Sequence, residues 1–199
     1  MDKKGISKKI IIWIVIISVL LLAVIGLLFV SFFKTREDNI KEKDSGAVLM
    51  TYGNENNSLS ISKVTPIKDE DGMKMENKNE YFDFSITTKL EDASSIEYEI
   101  TITPNITDVS VLSGIKVYLE RQNNGTYGKL FEPKLFVANP NETVFGSPKG
   151  SMVIASVVKD ADSVDNYRLR VWIDEKATIT EEVAKKISFD VSVHGKANS

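Results

Sequence analysis

The chain has 199 residues, with 25 Lys and Arg against 28 Asp and Glu, a net charge of −3 and no cysteine. This acidic balance argues against a nucleic-acid partner, and the lack of cysteine excludes disulfides and thiol chemistry. The part of the chain after residue 46 has the length of an ordinary domain, which can bury a sizeable core without disulfides.

Residues 10–33 form an uncharged apolar run, IIIWIVIISVLLLAVIGLLFVSFF. As a helix, this run is about 36 Å long, enough to cross a hydrocarbon core of about 30 Å. We therefore predict one transmembrane anchor over 10–33, between a tail at 1–9 and a charged linker at 34–46. The rival interpretation is a cleaved signal peptide. It requires a shorter apolar region and a small-residue cleavage site, which the end of this run (VSFF) does not offer.

The charges beside this run predict its orientation. Residues 1–9 carry +3, whereas the charges of residues 34–44 cancel. Because positive charge is retained on the cytoplasmic side, we expect a single-pass plasma-membrane protein with a cytoplasmic N-terminus. Residues 47–199 are then extracellular, and the lipid bilayer is a partner through 10–33. Residues 34–199 carry −6, which argues against a polybasic lipid-binding face.

From Ala47 onward, apolar residues recur with period two, which predicts strands with one buried and one solvated face. Turn signals such as Asn123-Asn124-Gly125 separate these runs, and the one helical candidate is Thr180–Lys186, with Thr180 as its N-cap. Eight or nine such strands predict a mainly β domain at 47–199, an antiparallel β-sandwich of jelly-roll or immunoglobulin-like type. Met152–Val158 is apolar at nearly every position and is predicted to be a central strand buried on both faces. The predicted core-facing positions are Phe82, Phe84, Ile86, Ile96, Tyr98, Ile100, Ile102, Ile115, Val117, Leu119, Tyr167, Leu169, Val171, Ile173, Ile187, Phe189, Val191 and Val193.

Residues that carry chemistry are few. The single histidine, His194, falls on the polar face at the end of the last predicted strand, where we expect it to be exposed. Glu97 and Glu99 share a strand face that is predicted to be solvated. No zincin, phosphate-loop or nucleophile-elbow motif occurs. We therefore expect no enzymatic activity and no cofactor; the alternative is an extracytoplasmic hydrolase that uses carboxylates or a bound metal.

Two acidic loops are candidates for calcium binding. Asp160, Asp162 and Asp165 lie in KDADSVDN, and three carboxylates in one loop are a candidate ligand set for calcium, which takes six to eight oxygens. The glycine of an EF-hand loop is missing there, and the competing interpretation is a solvated acidic loop. The turn Asp69–Gly72 is the second candidate, with the same alternative.

The residues predicted to bind a partner are Arg168, Arg170 and Trp172. In NYRLRVWID, the alternation puts these three on one strand face, opposite the more apolar set Tyr167, Leu169, Val171 and Ile173. Arginine and tryptophan are enriched in binding hot spots, so an exposed patch of this kind predicts a contact surface. The alternative is that a loop or the second sheet covers this face, which makes Trp172 a buried residue.

The patterns YFDFSI, SIEYEITI, IKVYLERQ, NYRLRVWIDEKA and KKISFDVSVHGKA resemble Gram-positive surface proteins of the TasA/camelysin type and their membrane-anchored relatives, over Tyr81–Ala197. The resemblance implies an extracellular jelly-roll-like sandwich of a matrix or surface-assembly system. Peptidase activity, for which camelysin relatives were named, does not carry over, because this chain has one histidine and no zinc-binding helix motif. The TasA-like proteins also have cleaved signals, whereas this anchor is predicted to stay attached.

These observations together predict a membrane-anchored binding or structural module of a bacterial cell surface, with a protein, cell-wall or matrix partner. The sequence leaves the identity of that partner and the oligomeric state open.

Overall fold

The structure is a computed structural model that describes residues 47–52, 57–106 and 109–198. Two short helices occur there, α1 (Asp69–Gly72) and α2 (Glu181–Ala184), with a 3-10 helix at Val109–Gly114. The strands are β1 (Ala47–Tyr52), β2 (Ser58–Ser60), β3 (Phe82–Lys89), β4 (Ser95–Pro104), β5 (Ile115–Asn123), β6 (Thr126–Lys129), β7 (Lys134–Leu135), β8 (Met152–Lys159), β9 (Ser163–Ile173) and β10 (Ser188–Asn198).

The strands form two antiparallel sheets. The six-stranded sheet has the order β1-β3-β9-β5-β6, with β7 paired to β5, and the four-stranded sheet has the order β2-β10-β4-β8. One hydrophobic core joins their inner faces, since Phe84 and Leu169 of the first sheet lie in the same cluster as Ile100 and Val191 of the second. The prediction of a mainly β domain built from antiparallel sheets is confirmed.

The alternation of side chains explains which residues form this core. On β3, the apolar Phe82, Phe84 and Ile86 are buried while the residues between them are partly exposed. The inner residues of β4 and β9 meet between the sheets, where the hydroxyls of Tyr98 and Tyr167 form a hydrogen bond of 3.1 Å. Burial raises the pKa of both phenols, so both stay neutral at physiological pH.

Strand β8 differs from its prediction. It pairs with β4 and ends the four-stranded sheet among the described strands, so Met152–Val158 is an edge strand rather than a central one. Val158 is 65% exposed, and the register shifts at Ile100/Thr101 of β4. A run of apolar residues can therefore form an edge strand as well as a central one, provided that the residues on its outer face are exposed to solvent.

Two local predictions agree with the structure. The Thr180 hydroxyl accepts a hydrogen bond of 3.4 Å from the Val183 amide and caps α2. Asn124 and Gly125 have φ angles of 50° and 82° and connect β5 to β6. Left-handed backbone at both positions is typical of the tight hairpin turn that Asn-Gly favours.

The predicted anchor at 10–33 and the linker at 34–46 lie outside the described residues. Within the described ranges, no helix is long and apolar enough to cross a membrane.

Replacing Ile100 with alanine should lower the free energy of unfolding by about 2–5 kcal/mol, because its buried side chain would leave a cavity between the sheets. Thr51→Ala, at an exposed position of β1, is the matched control and should change stability by about 0.5 kcal/mol or less. Urea unfolding of the full-length chain in detergent measures both. Equal losses for the two variants would contradict the assigned core.

Candidate binding surface

The outer face of the six-stranded sheet carries the three residues that the sequence predicts to bind. Arg168, Arg170 and Trp172 project from the same side of β9, as the alternation requires, and Tyr167, Leu169, Val171 and Ile173 project into the core. The assignment of faces is therefore correct. The three residues differ in exposure, however, because another part of the chain crosses this face and covers some of them.

Trp172 is buried, with 0% of its surface exposed, so the prediction of an exposed anchor is wrong. The chain segment 61–80, here called the strap, covers it with α1 and Met75, while Tyr118 lies edge-on to the indole at 6.4 Å. Gly72 sits directly on the indole ring, and a Cβ there would overlap the ring atoms. The alternative interpretation, a loop covering this face, describes the structure.

Arg170 is also buried, with 5% exposure, and holds the strap in place. Its Nε donates a hydrogen bond of 2.8 Å to the carbonyl of Met75, and its Nη1 pairs with the carboxylate of Glu120. Because its donors point to the strap and to a neighbouring strand, Arg170 cannot act as a surface hot spot. The prediction of an exposed Arg170 is corrected for the same reason as that of Trp172.

A second ionic group fastens the strap at α1. Lys116, directly opposite Trp172 on β5, places its ammonium 3.1 Å from Asp69 and 3.3 Å from Asp174. Partial burial favours the neutral amine, but hydrogen bonds to the two carboxylates outweigh it and raise the pKa of Lys116. The Ile67 amide adds a 3.0 Å hydrogen bond to the carbonyl of Ile173.

Arg168 is the member of the predicted set that stays partly exposed, with 19% of its side chain accessible to solvent. Its guanidinium donates two hydrogen bonds, of 2.7 and 2.8 Å, to the carboxylate of Asp83 on β3. Tyr81 and Tyr127 stack against it, with ring centroids 3.8 and 4.3 Å from Cζ. The hydrogen bonds to Asp83 raise the pKa of Arg168 further above its already high value. The side chain is therefore a fixed cation between two aromatic rings.

A row of polar side chains continues from this group across the sheet. Ser85 donates a 2.6 Å hydrogen bond to Asn166, and Asn166 donates one of 3.0 Å to Gln122. Exposed Val164 lies on the same side of β9 beyond Asn166. This partly exposed region of the sheet, beyond the strap, is here called the Arg168 face, and it consists of Tyr81, Asp83, Ser85, Gln122, Tyr127, Val164, Asn166 and Arg168.

The calcium candidates are not brought together. Asp160 is exposed, Asp162 binds the Lys89 ammonium and the Leu90 amide at 3.0 and 2.9 Å, and Asp165 pairs with Lys159 at 2.6 Å. The hydrogen bond from the Leu90 amide, with Lys89 beside it, lowers the pKa of Asp162. Proximity in sequence does not make these carboxylates converge, because they contact partners in different places.

The second acidic turn, Asp69–Gly72, forms α1, and Asp69 is committed to Lys116. In the part of the chain that the structure describes, no three His, Cys, Asp or Glu residues are grouped to hold a metal ion.

The sequence patterns do not predict one buried polar cluster, which is centred on Glu99. Glu99, predicted to be solvated, is only 4% exposed because residues 139–151 lie against it, and the hydroxyls of Thr143 and Ser147 both donate to its Oε1. His194 lies opposite Glu99 on β10 and is half-buried rather than exposed. The Ser147 hydroxyl is wholly buried and bonded to the carboxylate, so it is not presented to a substrate as a nucleophile would be.

An open cleft of about 470 Å³ lies where β5 begins and β9 ends. Ala47, the first described residue, lies at the other end of the sheet, where β9 begins, since it pairs with Lys89 and the neighbouring Thr88 pairs with Ser163. The lining of the cleft combines hydroxyls with Lys116, Lys176, Asp174 and the apolar Leu135 and Ile179. Two carboxylates, Asp69 and Asp174, already bind the ammonium of Lys116, so Lys116 is not free to bind an anionic ligand.

In the described part of the chain, the Arg168 face and this cleft are both open to a ligand. No protein-family model, curated protein or solved structure matches the chain. The two surfaces must be compared by their own chemistry, and the Arg168 face has the more rigid polar and aromatic groups.

Replacing Trp172 with alanine should lower the free energy of unfolding by about 3–5 kcal/mol, because a wholly buried indole and its contact with the strap would be lost. The measurement is urea unfolding of the full-length chain in detergent. Val164→Ala, at an exposed position on the same side of β9, should change stability by about 0.5 kcal/mol or less. An unchanged stability for Trp172→Ala would contradict the burial under the strap.

Proposed function

We propose that this chain is a membrane-anchored, extracellular β-sandwich that binds a partner at a bacterial cell surface and performs no chemistry of its own. Residues 10–33 span the plasma membrane once, with the N-terminus in the cytoplasm and residues 34–46 as a linker. The sandwich is of jelly-roll or immunoglobulin-like type. The partner is a protein, cell-wall or matrix component that contacts the Arg168 face.

The observation that carries this proposal is the fixed position of Arg168. Its two hydrogen bonds to Asp83 and its place between Tyr81 and Tyr127 leave the side chain little rotational freedom to lose on binding. Ordering a flexible side chain at an interface costs about 0.5–1.5 kcal/mol. Arg168 is already ordered by folding, so binding does not have to order it again. Arginine and tyrosine are also the side chains that most often dominate interface energies.

The surroundings of Arg168 suit a broad partner better than a small ion. Asn166 and Gln122 present amide groups in a row beside it, and Val164 adds an exposed apolar contact. A flat sheet surface with polar and apolar groups side by side is typical of non-obligate protein interfaces. The ion pair with Asp83 leaves no net charge on the group, so neither phosphate nor a metal ion is favoured as its ligand.

The alternative of a carboxylate hydrolase finds less support. The partly buried carboxylates that the structure describes, such as Asp83, Glu120 and Asp174, are each held by a cation. Glu99 accepts two hydroxyls beneath a loop. A general acid or base has to reach a substrate atom, and none of these groups lies open in that way.

Binding should depend on Tyr127, which lies on the edge strand β6 and stacks against Arg168. We expect Tyr127→Ala to weaken binding of the full-length chain to undigested cells of the producing strain by about tenfold or more. Ser192→Ala, on the outer side of the other sheet, is the matched control and should bind like the wild type. If the wild type binds and both variants bind equally well, the partner does not contact the Arg168 face.

Protease treatment distinguishes wall or matrix polymers from protein partners in the same assay. If binding disappears when the cells are first digested with protease, the partner is a protein; if it persists on purified walls, it is a polymer. If the wild type binds neither undigested cells nor purified walls, the proposed function is wrong.

The orientation of the anchor can be tested separately. Trypsin added to intact cells should digest the chain beyond residue 46, because the +3 tail is expected to stay in the cytoplasm. An epitope placed at the N-terminus should resist digestion until the membrane is opened. Protection of the C-terminal domain in intact cells would reverse the predicted topology.

A further inference from the structure

The loop at residues 139–151, here called the cover loop, lies against the outer face of the four-stranded sheet. It is closed on itself by backbone hydrogen bonds, including Gly150 to the carbonyl of Asn139 at 2.9 Å and Thr143 to the carbonyl of Ser147 at 3.0 Å. Val144 within it is 93% exposed, so the loop presents an apolar residue to solvent while its polar side faces the sheet. The cover loop therefore has internal hydrogen bonds that do not depend on its contact with the sheet.

One carboxylate supplies the principal polar attachment of the cover loop to the strands. The hydroxyls of Thr143 and Ser147 both donate to Oε1 of Glu99, and the Ser147 amide donates to the Thr143 hydroxyl at 3.1 Å. A buried carboxylate is tolerated only when hydrogen bonds replace its water, and these two hydroxyls do so. Any change that makes hydration of Glu99, or of the side chain next to it, more favourable than burial will favour release of the loop.

His194 is that neighbouring side chain. It stands opposite Glu99 in the β4–β10 register, and its Nε2 is shielded from solvent without a hydrogen-bond partner in the described part of the chain. Two carboxylates face His194, Glu99 from β4 and Glu142 from the cover loop. On β10 itself, the nearest charged residue toward the C-terminus is Lys196, two positions along. On the far side of Glu99, β8 contributes the uncharged Ser156. An imidazolium at this position would hold a buried N–H without an acceptor.

We propose that the cover loop is released by acid: when His194 takes up a proton, the loop leaves Glu99 and uncovers the outer strand face beneath it. In the released state, both His194 and Glu99 are hydrated, and the orphaned nitrogen becomes a solvated donor. The uncovered surface adds Glu99 and His194 to the part of the domain that a partner can contact. This inference is independent of the Arg168 face, which belongs to the other sheet.

The direction of the pH dependence follows from linkage. Burial lowers the pKa of His194 below its ordinary value of 6.5, although Glu99 and Glu142 oppose this effect. The closed loop therefore binds the proton less well than the open loop, where the imidazole is in water. The closed state keeps its full stability above about pH 6.5 and loses it as the pH falls toward the lowered pKa.

The lack of native cysteine allows a direct measurement of loop position. Spin labels at Val144→Cys, in the loop, and Asp92→Cys, in an exposed turn, give one distance distribution by pulsed electron paramagnetic resonance of the full-length chain in detergent. Between pH 7.5 and 5.5, a second population should grow, with an opening equilibrium constant up to about tenfold larger.

The matched variant is His194→Gln, which removes the titrating group and keeps a neutral polar side chain. In this background, the two distance distributions should be the same at both pH values. A wild type that does not change, or a variant that changes as much as the wild type, overturns the proposal.

A second measurement decides the matter if His194→Gln does not fold. The chain has one histidine, so a single imidazole resonance reports its titration by nuclear magnetic resonance. Its midpoint has to coincide with the midpoint of loop opening in the wild type. A clear separation of the two midpoints overturns the proposal as well.

Discussion

The packing of strand β9 on both of its sides is the constraint on which the rest of the domain depends. Its inner residues fill the core between the sheets, and its four residues from Arg170 to Ile173 are all buried. A sheet strand can be buried on both faces only if another part of the chain crosses its outer side. The strap supplies this cover with Met75 and Gly72, and its extent decides which part of the outer face remains open. The Arg168 face is that remainder, so the proposed binding surface is a consequence of where the strap ends.

Much of the fold is readable from the sequence because a strand's own side chains encode its orientation. The alternation in β3, β4 and β9 assigns each residue to the inner or outer side, and the inner set of β9 lies in the core as predicted. The Thr180 cap and the Asn124-Gly125 turn were predictable for the same reason, since each is a local interaction between residues adjacent in the chain. In all these cases, the physical cause lies within a few residues of its effect.

The errors concern contacts between distant parts of the chain. Gly72 covers Trp172 from 100 positions away in the sequence, and Ser147 binds Glu99 from 48 positions away. Period-two patterns distinguish the two faces of a strand, but they carry no information on whether a remote loop lies over one of them. The cover over Trp172 had a faint signal, because Ile67, Met73 and Met75 are the apolar residues of the otherwise polar stretch 67–80. No comparable signal marks Glu99, whose partners are two ordinary hydroxyl residues.

The two sheets thus each have an outer face partly covered by a loop, but different chemistry holds the two covers. The strap is held by apolar burial around Trp172 and by matched ion pairs. At one of these pairs, contact with carboxylates raises the pKa of Lys116, while the Lys176 amide and Lys116 lower that of Asp174. Both groups therefore keep their charges well to either side of neutral pH, and mild acid does not weaken this attachment. The cover loop depends instead on hydroxyls bound to Glu99, beside an imidazole that ordinarily titrates at about pH 6.5. One cover is therefore part of the permanent fold, and the other is placed where a change of one proton can alter its position.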